Sequence, residues 1–218
     1  MEATIDLLEL PGGRLRHLWS LREDVEVESD AVTGSLVLTW DQGTARLACP
    51  EPTVLEVLRR MQLGPVLLGN ALLDDGEGGR DRDAKVYVMM RPVFGRFPHL
   101  LVRTLALDGL SSPLLSFAPL PEASGASLTV VPLDQLEPIR LFLGLSFAFD
   151  PLTAVFESRT ASHRLVIHRQ EAMMVFALAL ARPVTLRAIT AVLPLPADVT
   201  EGILCYLAAA GVAAQPGA

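Results

Sequence analysis

This 218-residue chain has little of what most directly announces chemistry. Lys85 is its only lysine, so nearly all its positive charge is arginine. Acidic residues outnumber basic ones, 25 against 18, for a net charge of −7. That balance speaks against a nucleic-acid binder, because Lys and Arg contacts to phosphate supply most of the affinity for DNA. Only two cysteines occur, Cys49 and Cys205, both in apolar surroundings. They offer neither a disulfide framework nor metal-ligand spacing and read as small buried hydrophobes. Apolar runs are short. Leu141 to Phe149, for example, is bounded by Pro138 and Asp150-Pro151, and falls well below the roughly 18 residues needed to cross a bilayer. The N-terminus has no basic stretch before an apolar one, so no signal peptide is expected and a cytoplasmic location follows.

Catalytic signatures are missing too. There is no Gly-x-Ser-x-Gly, His-Glu-x-x-His, Cys-x-x-Cys or dinucleotide fingerprint. The four histidines, His17, His99, His163 and His168, are not spaced as a metal pair on one helix. Five residues apart on a strand, His163 and His168 point to opposite faces. The Gly-rich stretch from Asp74 to Asp83 is acidic and lacks Gly-Lys-Ser/Thr, so it reads as a solvated, mobile loop rather than a phosphate cradle. No metal, no cofactor and no independent catalysis are expected.

What is present is a repeat. Arg46-Leu47-Ala48-Cys49, a helical run from Thr53 to Met61 and Gly64-Pro65-Val66-Leu67-Leu68 return 118 residues later without a gap. The second copy is Arg164-Leu165-Val166-Ile167, then Glu171 to Leu180, then Arg182-Pro183-Val184-Thr185-Leu186. Arg46 aligns with Arg164, Val57 with Val175, Pro65 with Pro183 and Val66 with Val184. Such internal similarity implies two copies of one small module. Half the residues are hydrophobic, enough for sizeable cores.

Periodicity fills in the modules. Alternation predicts strands at Val25 to Glu28, Leu36 to Trp40 and Thr44 to Ala48, the last two joined by Asp41-Gln42-Gly43. A helix follows from Thr53, with Thr53 and Glu56 spaced as a capping box and Val54, Leu55, Val57, Leu58 and Met61 as its buried face. A second helix is predicted over Val66 to Leu73 and a third over Lys85 to Phe94, ended by Pro92 or Gly95. Leu100 to Ala106 and Leu114 to Ala118 read as a hairpin, and Pro119 to Gly125 as a linker. The second half repeats the order. Strands Ala154 to Ser158 and Arg164 to His168 precede helices Gln170 to Leu180, Thr185 to Val192 and Ala197 to Ala210. Gly211 is the C-cap, with at most a minimal strand after it. The expected fold is α+β: two tandem winged-helix-like modules, residues 1–120 and 121–218, each with a small antiparallel sheet and about three helices.

The last helix carries no Lys or Arg, unlike a recognition helix that reads DNA. A hairpin edge beside such an apolar helix can accept an extended peptide by strand addition. The expected peptide-binding residues are Arg164, Val166 and His168 on the strand, which alternate with core-facing Leu165 and Ile167, and Glu201, Cys205 and Ala208 on the helix.

Phe147 to Val212 resembles the N-terminal region of actinobacterial SagB-type peptide dehydrogenases, through Phe156-Glu157-Ser158, Ala181-Arg182-Pro183 and the Ala-rich end at Gly211. Leu36 to Leu68 is similar to the start of the same region. The resemblance implies a winged-helix-like RiPP recognition element, which binds the leader of a ribosomally made precursor peptide between third helix and third strand. The family's flavin site lies in a later nitroreductase domain that this sequence does not contain, so flavin binding is not carried over. The implied role is non-catalytic: peptide recognition or scaffolding in RiPP biosynthesis, with a precursor leader peptide and a modifying enzyme (a nitroreductase-type dehydrogenase or a cyclodehydratase) as partners. Neither nucleic acid nor membrane is expected as a partner, and a homodimer is left open. The alternatives are a subunit of a split flavin-dependent azoline dehydrogenase and a winged-helix transcription regulator.

Overall fold

In the computed structural model, residues 14–30, 32–48, 50–71, 79–108, 113–120, 133–141, 145–149, 153–158 and 163–215 are described. The N-terminal apolar stripe, Cys49, the loop up to residue 78, the linker from residue 121 and the turn at 160–162 lie outside the described residues.

The protein is α+β. Its elements run β1 (Leu15–Leu21), β2 (Glu26–Asp30), β3 (Ser35–Trp40), β4 (Gly43–Leu47), α1 (Pro52–Leu63), a 3-10 turn (Leu68–Ala71), α2 (Gly79–Arg96), β5 (Leu101–Leu107) and β6 (Leu115–Pro119). Then follow β7 (Arg140–Leu141), β8 (Leu145–Phe149), β9 (Ala154–Ser158), β10 (His163–Ile167), α3 (Gln170–Ala181), α4 (Leu186–Val192), α5 (Ala197–Ala209) and β11 (Ala213–Ala214). Three sheets result: the antiparallel β2-β3-β4, the antiparallel two-residue pair β11-β7, and a six-stranded sheet in the order β1-β5-β6-β10-β9-β8, antiparallel across β10, β9 and β8.

The chain divides into two compact units. The first comprises His17–Thr104 and Phe117–Leu128; the second comprises Met1–Arg16, Leu105–Ser116 and Thr129–Ala218. No single cut separates them, because β1, β5 and β6 each run from one unit into the other.

The first unit is built on the hairpin β3–β4, where Trp40 faces Gly43 and Leu36 faces Leu47. Leu36 and Leu38 point into a core with Val57, Leu58, Met61, Val86, Met90 and Leu100. Trp19 joins it, stacked on Phe94 with ring centroids 4.3 Å apart and the Arg103 guanidinium 4.0 Å above its ring. Helix α1 starts at Pro52, one residue before the expected capping box, because proline suits the first helical turn, whose N–H has no intrahelical partner. Thr53 is therefore inside the helix, and Glu56 pairs with Arg60 four residues on, at 2.7 Å. Val66 does not open a helix. It exchanges two backbone hydrogen bonds with Trp19, at 2.8 and 2.9 Å, so only the 3-10 turn remains of the expected second helix. Helix α2 starts earlier than expected, at Gly79, and runs through Pro92 to Arg96. Pro92 removes a donor for the carbonyl of Val88, but that turn is exposed, so water can take the donor's place.

The second unit repeats this plan. Val184, aligned with Val66, exchanges backbone hydrogen bonds with Ile139 at 2.8 and 3.1 Å. The strand after the third helical segment then pairs with the unit's first strand: β11 with β7 here, β5 with β1 in the first unit. Thr185 caps α4, its hydroxyl accepting from the Ala188 N–H at 3.1 Å. Helix α5 ends at Gly211, whose φ of 70° few other residues tolerate. The Gly211 N–H donates to the Ala208 carbonyl and that of Val212 to Leu207, the double closure of a Schellman end.

Candidate functional site

On β10 the alternation is as expected. Leu165 and Ile167 are buried, while Arg164 is exposed and Val166 and His168 are half-buried. Phe156, directly opposite Leu165, packs against Phe176 of α3 with ring centroids 4.2 Å apart. Arg164, Val166 and His168 thus lie on the face away from α3. Arg164 is committed to Glu157 on β9, at 2.5 Å. The His168 ring nitrogen Nε2 meets the Ser116 hydroxyl at 2.8 Å, a pairing no local pattern foreshadowed.

The expected free edge at β10 does not exist. β10 has β9 on one side and β6 on the other, and the His168 N–H donates to the Leu114 carbonyl at 3.0 Å. Its ladder groups are taken on both sides, which leaves no main-chain donors for strand addition. On α5, Cys205 is buried, and burial together with the nearby Glu201 carboxylate pushes its thiol above the usual range. Glu201 and Ala208 are half-buried. A Cβ on Gly202 would lie 2.9 Å from Leu15 Cδ1 and 3.5 Å from Leu105 Cδ2. So α5 sits close over β1 and β5, and β6 separates those strands from β10. The three strand residues thus lie on an interior strand, and α5 lies over the strands beyond β6. The apolar character of α5 has a different cause: Val199, Thr200 and Ile203 through Leu207 are all buried, as in a helix enclosed by its own core.

The counterpart of β10 in the repeat is β4, with Arg46 aligned to Arg164. β4 ends its three-stranded sheet, and among the described residues nothing pairs with its outer edge. The two-residue loop Asp41–Gln42 closes on the hydrogen-bonded pair Trp40–Gly43. Alternation then turns the main-chain groups of Thr44 and Arg46 outward. Both side chains are exposed, whereas Ala45 and Leu47 pack against the core. Arg46 is loosely paired with Asp30, at 3.6 Å.

Other polar groups serve the fold. Glu171, 2% exposed, receives two hydrogen bonds from the Arg169 guanidinium, at 2.8 and 3.1 Å. Among the described residues, no group of three His, Cys, Asp or Glu could hold a metal ion, and no helix is long and apolar enough to cross a membrane. A scan against protein-family models finds no match, and neither does a search of curated proteins.

Proposed function

We propose that this chain is a cytoplasmic, non-catalytic peptide-recognition protein of RiPP biosynthesis, built of two winged-helix-like modules. It holds the leader of a precursor peptide for a modifying enzyme of the nitroreductase-dehydrogenase or cyclodehydratase type. One observation carries the reading. The order of three strands and three helical segments occurs twice, and the outer edge of the last strand is filled by β6 in one copy and, among the described residues, open in the other. The recognition edge is therefore β4 rather than β10. The β6 segment indicates the peptide chemistry, because its Leu115, Phe117 and Pro119 are buried in alternation with half-buried Ser116 and Ala118. The fitting leader is extended, with apolar anchors at alternate positions and an acidic residue near Arg46. Such an exposed ion pair adds only about 0.2–1 kcal/mol, so main-chain bonds and the anchors dominate.

The test is fluorescence anisotropy with labelled leaders of the precursor peptides encoded beside the gene. Arg46→Pro removes an outward N–H while leaving the β3–β4 ladder intact. It should abolish binding, whereas Arg46→Ala should weaken it less than about tenfold. In hydrogen exchange, bound leader should slow the Thr44 and Arg46 amides. Full affinity in a folded Arg46→Pro variant would move the peptide off β4, and no binding of any neighbouring leader would end the reading.

A further inference from the structure

Apart from the two-residue pair β11-β7, the sheets have four end strands, and they are not guarded alike. β2 carries Glu26, Glu28 and Asp30, acidic side chains of the kind that keep foreign strands away. β1 is partly closed by the Trp19–Val66 bridge, and β4 presents Arg46. β8 is Leu145-Ser146-Phe147-Ala148-Phe149, with no charge and no proline. Ser146, Phe147 and Ala148 are exposed, Phe147 by 65%. Phe147 lies opposite Phe156 with ring centroids 6.5 Å apart, and Phe156 packs on Phe176. An aromatic row thus leads from the buried face of α3 out to the end of the sheet.

We propose that β8 is a homodimerisation edge, pairing antiparallel with β8 of a second copy about a two-fold axis at Phe147. The strand is self-complementary in that arrangement. Phe147 meets the same residue of the other copy and Ser146 meets Ala148, so aromatic faces aromatic and small faces small. An isologous contact of this kind needs no partner of another sequence. It also covers the outer end of the aromatic row, which an uncharged edge otherwise leaves in water. This inference is independent of peptide binding at β4.

Sedimentation of the purified full chain from low micromolar to several hundred micromolar tests it. The expected result is a concentration-dependent rise from the monomer mass of 23.5 kDa to twice that value. Phe147→Lys and Phe147→Glu should each sediment as monomer, because the axis places like charges opposite one another. An equimolar mixture of the two should dimerise again and dissociate with added salt. In the wild type, β8 amides should exchange more slowly as concentration rises, a readout independent of either variant's folding. A wild type that stays monomeric overturns the proposal, including one whose β8 amides are protected at every concentration. So does a single variant that still dimerises, or a mixture that does not.

Discussion

At the scale of single residues, the tightest polar commitments are made by side chains with no motif around them. Gln215 is 5% exposed. Its amide nitrogen donates to the carbonyls of Asp134 at 2.7 Å and Glu137 at 3.1 Å, and its amide oxygen accepts from the Asp134 N–H at 3.1 Å. One side chain thus satisfies three backbone groups of the segment that leads into β7. Gln215→Ala leaves those groups without a protein partner and should destabilise the second unit by about 1–3 kcal/mol. Urea unfolding measures this, and an unchanged midpoint would show that water replaces the amide without loss. Arg169 and Glu171 make the opposite kind of pair. Both charges belong to one short segment, so the sequence places them together, but nothing local announces that Glu171 is buried.

At the scale of elements, local patterns were legible and long-range pairings were not. Alternation in Leu36 to Trp40 and the turn at Asp41-Gln42-Gly43 predict the β3–β4 hairpin, and the apolar spacing of α1 predicts Val54, Val57, Leu58 and Met61 as its buried face. Gly211 is legible as a C-cap because the required conformation is specific to few residues. The alternation of β10 was legible as well, with Leu165 and Ile167 inward. Its status as an interior strand was not, because that depends on β6 arriving from some 50 residues away, a property of the sheet rather than the strand. The same limit hid the reason for Gly202. In a helix interior glycine costs about 1 kcal/mol relative to alanine, yet here it lets α5 approach Leu15 and Leu105. Gly202→Ala should lie within about 1 kcal/mol of wild type, since the Leu15 tip can move and the helix gains propensity. Gly202→Leu should cost about 1–3 kcal/mol by overpacking. A leucine variant as stable as wild type in urea would mean that α5 is held less closely than its geometry implies.

At the scale of the whole molecule, ionisation sets a stability window. His163 and His168 are held below their ordinary value by burial, and His99 by partial burial with Arg22 adding to it; His17 is shifted the same way by desolvation and by Arg103, although its residue is exposed, so its share is the weakest. A histidine kept neutral in the folded state contributes stability that is present above the unfolded value near 6.5 and lost as pH falls through its depressed folded value. Three carboxyls act in the same direction at lower pH. Asp30 is held down by Thr33, Asp108 by Arg16 and Glu171, against the upward push of its burial, by Arg169, so their contribution is present above about pH 4 and lost below it. The buried Cys205 thiol is raised, and its contribution is lost as pH rises above the unfolded value near 9. Stability should therefore be greatest between about pH 7 and 8.5 and should fall on the acid side in two stages, histidines first. Calorimetry between pH 7.5 and 5.5 should therefore show Tm falling. His163 is the most buried of the four, 4% exposed. His163→Gln cannot take up that proton in either state, so it should make the first stage shallower while leaving the second unchanged. A Tm constant from pH 7.5 to 5.5 in the wild type would mean that the histidines titrate alike folded and unfolded, against the burial that surrounds them.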